Sequence, residues 1–260
     1  MAPTDRLTVD PEALRASVRE KYRAVAAQPA GEFHFHTGRP LAARLGYDRE
    51  LVNGLPDRAV ESFAGVADPL GLRPPRAGER VLDLGSGAGF DCFVAARLVG
   101  PGGRVVGVDM TPEMLDKSRE SARQLGLENV EFREGIIEAL PVDDGWADVV
   151  MSNGVLNLVA DKRAAMREIF RVLRAGGALA FADIAVGRAV PEAAACSIDL
   201  WTDCIAGGQS LDAWQRAMRD AGFVDLAVGP AVDTFGGARG ERNARAYDVM
   251  AHAFLGHKPA

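Results

Sequence analysis

Between residues 80 and 183, short apolar runs alternate with segments of helical periodicity. Arg80–Leu84, Arg104–Val108, Val130–Arg133, Ala147–Ser152 and Ala178–Asp183 read as strands. Phe90–Val99, Thr111–Leu125 and Asp161–Arg174 read as helices, each closed by glycine: Gly100-Pro101-Gly102-Gly103, Gly126, and Gly176-Gly177. Thr111 suits an N-cap, and Pro112 suits the first helical position. Strands alternating with helices at this spacing predict a doubly wound, mainly parallel sheet. Right-handed crossovers bring the strand C-termini to one edge, where ligands bind. Gly85, Asp109, Gly135 and Asn153 follow those strand ends.

The flanking segments are less regular. Pro11–Ala27 reads as a helix with Leu14, Val18, Tyr22 and Val25 along one face. It is either a surface helix or a lid that lays Tyr22 over a bound ligand. Gln28–Pro40 is a connection, Leu41–Leu55 reads as short helices broken at Gly46, and Ala59–Leu70 is irregular. Pro74, Pro75 and Gly78 form a boundary. The expected organisation is therefore an N-terminal helical and lid segment over 1–75 and a main domain over 76–260, with an inserted lid helix near 190–207. Residues 191–206 read as that extra helix, with Ile198, Leu200, Trp201 and Ile205 apolar. Ser210 caps a helix to Ala221, Phe223–Val228 is a strand, Gly229–Asn243 is a hairpin or loop, and Tyr247–Leu255 is a last strand. Residues 1–10 are expected to fray.

Composition narrows the class. The 260 residues carry a formal net charge of −6 and have no basic tract or stacking-aromatic run, so nucleic acid is not an expected partner. No apolar run approaches the ~18 residues that cross a bilayer, and the N-terminus lacks a signal peptide's apolar core. A cytoplasmic chain without membrane association is expected, as monomer or homodimer. The cysteines are Cys92, Cys196 and Cys204, an odd number without a CxxC pair, which is neither a disulfide framework nor a zinc motif. Phe33-His34-Phe35-His36 puts two histidines on one face if extended. Either could act as a base near neutral pH. A third ligand of suitable spacing is lacking, so no metal is expected.

The glycine turn at 85–89 selects a cofactor. A dinucleotide loop, G-x-G-x-x-G, would require glycine at 90 or 92, where the chain has Phe90 and Cys92. The pattern is instead D-x-G-x-G-x-G from Asp83, which resembles the first motif of class I methyltransferases that use S-adenosylmethionine. The resemblance implies a Rossmann-like sheet of seven strands. It also implies that Gly85, Ser86 and Gly87 hold the methionine and ribose part, and that Asp83 orients the loop or the amino group. Asp109, 24 residues after Gly85, would accept from both ribose hydroxyls. Met110 would pack on the adenine, Ile137 and Glu138 would form the adenine turn, and Asn153 would meet the amino-acid end or the substrate.

Longer stretches sharpen the likeness. Val81–Phe93, Gly107–Leu115, Ser152–Leu158 and Leu200-Trp201-x-x-Cys204 resemble the arsenite methyltransferase branch. That family binds trivalent arsenic through cysteine thiolates, as a soft ion requires. Here Gly154 and Val66 stand where the family has two of those cysteines, and the Phe33–His36 stretch replaces its cysteine-rich segment. Only Cys204 matches a ligand position. Cys196 is eight residues away, which on one helix is ~12 Å of rise, too far to share an ion.

The resemblance therefore implies methyl transfer from S-adenosylmethionine, with a small organic molecule accepting on O, N, S or C. His34, His36 and Cys204 are the candidate catalytic residues. Asn157, Trp201, Phe33, Phe35 and Phe63 are further candidates around the acceptor. The alternatives are an arsenite, soft-element or thiol methyltransferase that uses Cys204, and a non-catalytic S-adenosylmethionine-binding protein.

Overall fold

A computed structural model describes residues 9–191 and 195–260; most of the terminus expected to fray lies outside them. Val9 and Asp10 do not fray: Val9 is buried, and the Asp10 carboxylate accepts from Ala13 N at 2.7 Å to cap the first helix. That helix, α1, spans Pro11–Ala27 with Leu14, Val18 and Val25 buried. Short helices α2 (Gly38–Arg44), α3 (Arg49–Val52) and α4 (Asp57–Val60) follow.

The alternating region is β1 (Arg80–Leu84), α5 (Phe90–Val99), β2 (Arg104–Asp109), α6 (Pro112–Leu125), β3 (Val130–Glu134), β4 (Ala147–Asn153), a 3-10 turn at Leu156–Leu158, α7 (Lys162–Val172) and β5 (Leu173–Val186). After these come α8 (Ile198–Thr202), α9 (Leu211–Asp220), β6 (Val224–Val228), α10 (Glu241–Ala246) and β7 (Val249–His257). They form one seven-stranded sheet in the order β3-β2-β1-β4-β5-β7-β6. The first five strands are parallel, and β7 runs antiparallel to both neighbours.

Alternation along β1 divides the core. Val81 packs with Phe93, Val105 and Met151 on the face covered by α5 and α6. Leu82 and Leu84 pack with Val106, Val150, Phe181 and Trp214 on the other. Because the order reverses between β1 and β4, the loops after β1, β2 and β4 open onto a crevice at the C-terminal edge.

Three expectations are corrected. The helix expected over Asp161–Arg174 ends at Val172, and β5 begins at Leu173, ahead of the glycines. Leu173 pairs with Ala147, and the Arg174 guanidinium pairs with Asp148; these long-range contacts draw the chain out of the helix. Of the helix expected over 191–206, residues 192–194 lie outside the described ones; after a break at 196–197, α8 covers Ile198–Thr202, and Cys204 follows it at φ 59. Cys196 and Cys204 therefore do not share a helix. Of the hairpin or loop expected over 229–243, the loop is what forms, with Val232 bridging to Ala251, and it ends earlier, because α10 begins at Glu241.

Candidate active site

The cleft at the strand ends is built first by the glycine turn. Gly85 N and Ser86 N both donate to Val108 O, at 2.8 and 3.1 Å, which locks the turn onto β2. Gly85 sits at φ +68, and an added Cβ would come within 2.5 Å of Val155 Cγ2. Only glycine combines that dihedral with that approach. Asp109 braces the turn from the side: one oxygen accepts from Gly87 N at 2.9 Å and the other from Thr111 N at 2.8 Å. Burial raises the Asp109 pKa, and the backbone N–H groups of Thr111, Gly87 and Met110 oppose that rise.

All ten sequence-derived donor-site residues line this one cleft: Tyr22, Asp83, Gly85, Ser86, Gly87, Asp109, Met110, Ile137, Glu138 and Asn153. Two features suit an S-adenosylmethionine-sized occupant. Ser86 Oγ is buried without a partner. Gly87 presents open space, since an added Cβ would meet nothing closer than Met114 Sδ at 4.0 Å. The residues present therefore fit the donor.

Helix α1 closes the end of the cleft formed by Met110 and Glu138. Arg15 Nη2 pairs with Glu138 at 3.1 Å, and Arg19 Nε donates to Met110 O at 3.1 Å. One turn further along, Tyr22 enters the cleft. Its hydroxyl pKa is raised well above normal by burial, with the nearby carboxylates of Asp109 and Asp183 adding to the effect. Arg15→Ala is expected to weaken donor binding by about threefold to fivefold, the worth of one partly exposed ion pair. Calorimetric titration with S-adenosylhomocysteine checks this, and unchanged affinity would remove α1 from the donor site.

The opposite end is a buried polar network. Asp91 lies at the start of α5, and its carboxylate accepts from Tyr47 Oη at 2.5 Å and from Asn153 Nδ2 at 3.1 Å. Burial pushes its pKa up to about 7 against the lowering effect of those bonds. Asp83 accepts only a thiol contact from Cys92 at 3.2 Å; burial and the neighbouring Asp91 charge push its pKa up. Asn153 spends its side chain internally. Its oxygen accepts from Val66 N at 2.8 Å, and its amide donates to Tyr47 and Ala67 as well as Asp91. The Asn153 amide thus fastens the 65–67 segment to β4.

The three candidate catalytic residues do not line the cleft. His34 Nδ1 lies 3.4 Å from both Lys21 Nζ and Asp203, and its Nε2 is buried without a partner. Burial and the Lys21 charge push its pKa down to about 4, against Asp203. It is a poor base near neutral pH. His36 points to the 233–236 loop, with Nε2 3.1 Å from Gly236 O. Cys204 is buried among Val18, Val66 and Trp201, and burial pushes its thiol up to about 12, so it is held as thiol rather than thiolate. Of the further candidates, Phe63 lines the cleft, whereas Phe33, Phe35, Asn157 and Trp201 do not. Asn157 N donates to Asp183, and the Trp201 ring lies under Lys162 Nζ at 4.5 Å.

Sequence reasoning missed Arg15, Asp91 and the wall formed by Ser62, Ala64 and Gly65. The signal for Asp91 was its position just after the glycine turn. Arg15 sits beside Leu14 on the apolar face of α1, which gave no hint that it reaches residue 138.

The comparisons agree with this geometry. The family model described as "Methyltransferase domain" matches residues 75–222. An arsenite methyltransferase of Halobacterium salinarum is 40% identical over 235 residues, 85% of this chain and 60% of its own length. The ubiquinone/menaquinone biosynthesis C-methyltransferase UbiE of Vibrio campbellii is 36% identical over 56% of this chain and 53% of its own length. The chain thus spans well under two thirds of these curated relatives. The crystal structure of CrArsM, an arsenic (III) S-adenosylmethionine methyltransferase from Chlamydomonas reinhardtii, superposes with a TM-score of 0.64 at 30% identity, covering 86% of this chain and 74% of that one. Among the described residues, no helix is long and apolar enough to cross a membrane. The chain belongs to the class I S-adenosylmethionine-dependent methyltransferases and is related to their arsenite methyltransferase branch.

Proposed function

We propose that this chain transfers a methyl group from S-adenosylmethionine to a small organic acceptor and does not methylate arsenite. The observation that carries this reading is the contact between Gly154 and Val66. A Cβ added at Gly154 would lie 3.1 Å from Val66 Cγ1. Two cysteines at these positions would place their sulfurs together, next to the cluster that holds Cys204. In this chain the pair is a glycine and a valine, and Cys204 is left as a buried thiol with its pKa pushed up to about 12. Cys92 contacts Asp83 under the glycine turn, and Cys196 is exposed. Hydrocarbon replaces the soft donors that trivalent arsenic needs.

The bound donor supplies a methyl group on a positively charged sulfur, already activated for displacement. The chain's part is then alignment and exclusion of water. Asp83, Asp91 and Asp109 hold the two ends of the cleft. Phe63, Val155, Leu158 and Val159 give it an apolar wall against which an organic acceptor packs. Tyr22, protonated and facing the cleft, is the polar group suited to orient an acceptor heteroatom. The acceptor's proton, where it has one, leaves to solvent or to a carboxylate.

Purified protein with labelled S-adenosylmethionine, arsenite and glutathione is expected to yield no labelled methylarsenical. The same donor with a small-molecule extract is expected to label an organic product. Sustained arsenite turnover would overturn this reading and favour the soft-element alternative, which the identity to arsenite methyltransferases keeps in view. Donor binding with no labelled product from either source would favour a non-catalytic binding protein.

A further inference from the structure

A second cavity, of about 550 Å³, lies between the 31–44 segment and the loop at 237–239. It shares no lining residue with the donor cleft. We propose that it is a binding site for a small aromatic carboxylate. This goes beyond methyl transfer and does not depend on it.

Three observations carry the assignment. The first is an aromatic floor. Phe33 and Phe35 line the cavity with their rings 14° from parallel and 5.6 Å apart, beside Leu41 and Pro40. Both rings are only half-buried. Half-covered aromatic faces inside a concavity of this size suit a flat apolar ligand. The second is charge. The lining carries the guanidinium groups of Arg44 and Arg239 against the single carboxylate of Glu32. Arg44 donates to the backbone oxygens Gly236 O and Asp233 O and lies 3.1 Å from His36 Nε2; its charge also acts on the nearby Asp233 carboxylate, whose ion-pair partner is Arg245. Arg239 meets Glu32 at 2.7 Å across an exposed contact, a pair that a carboxylate ligand can replace at little cost. A flat hydrocarbon body with one negative end matches this lining.

The third observation is position. Phe35 stacks on Tyr22, with centroids 6.3 Å apart and planes 16° apart, and Tyr22 lines the donor cleft. The aromatic floor of the second cavity is thus the back of the cleft wall. A ligand seated on Phe35 holds the ring that supports Tyr22.

The test uses 2-naphthoate as probe and its neutral counterpart 2-naphthalenemethanol, titrated by calorimetry into the full chain. 2-Naphthoate is expected to bind about fivefold tighter than the alcohol, the effect of one partly exposed charge contact. Phe33→Ala is expected to weaken it about tenfold through loss of aromatic contact. Ala238→Trp, which fills the cavity from the loop, is expected to abolish binding while S-adenosylhomocysteine still binds, which shows that the variant is folded. S-Adenosylhomocysteine is expected not to displace the probe. The proposal is overturned if 2-naphthoate fails to bind, if it binds unchanged to Phe33→Ala and Ala238→Trp, if the alcohol binds equally well, or if S-adenosylhomocysteine displaces it.

Discussion

Asp109→Ala is expected to weaken S-adenosylmethionine binding about a hundredfold, or about 2.7 kcal/mol. The side chain has two tasks. It braces the glycine turn through Gly87 N and the start of α6 through Thr111 N. It also presents a carboxylate at the end of β2, where the resemblance places the ribose hydroxyls. Alanine leaves both N–H groups without their acceptor and removes the ribose partner. Hydrogen bonds to a charged acceptor are worth about 1.5–3 kcal/mol each. Asp109→Asn keeps the shape and one acceptor oxygen, so a loss of about tenfold is expected. Calorimetry on both variants, with unfolding curves to show that they remain folded, is the measurement. Wild-type affinity in the alanine variant would remove Asp109 from the ribose.

The glycine turn and its Asp109 brace were legible because their signals are local. Gly85, Ser86 and Gly87 are contiguous, and Asp109 follows a strand whose apolar run is unmistakable. The parallel sheet follows from β1 to β4, where valine-rich runs end in glycine or a cap residue. The acceptor half was not legible in the same way. His34 and His36 alternate as two residues on one face should, but their partners are Lys21, Asp203 and Gly236. Asp203 and Gly236 are far away in sequence, and they turn both rings away from the cleft. Asn153 was placed correctly at a strand end, yet its amide is consumed by Tyr47, Ala67 and Asp91. The start of β5 was missed for the same reason. Leu173 and Arg174 carry helical composition, and only their pairing with Ala147 and Asp148 makes them strand.

The same network around Asp91 makes the fold less stable as pH rises. Its carboxyl titrates near 3.8 when unconstrained and near 7 in the folded chain, with burial as the main cause. Below about pH 3 both states hold the proton, and the group is neutral in its effect. Between pH 4 and pH 7 the unfolded chain releases the proton and the folded chain keeps it, so each step upward favours unfolding. Above pH 7 the folded state carries a buried carboxylate, and the accumulated cost levels off at about 4 kcal/mol. Asp91→Asn removes the titration. Its amide keeps an acceptor for Tyr47 but faces the Asn153 amide, so one hydrogen bond, about 1 kcal/mol, is lost at every pH. The variant is therefore expected to be less stable than wild type by about 1 kcal/mol at pH 3.5 and more stable by about 3 kcal/mol at pH 8. Urea unfolding at the two pH values reads the crossing. Parallel stability profiles for the two proteins would show that Asp91 is already ionised in the folded chain at low pH. In the proposed donor orientation, the ammonium group would face the cleft end lined by Asp83 and Asp91. The donor's stabilising effect is expected to be larger at pH 8 than at pH 6 in the wild type, and nearly constant across that range in Asp91→Asn.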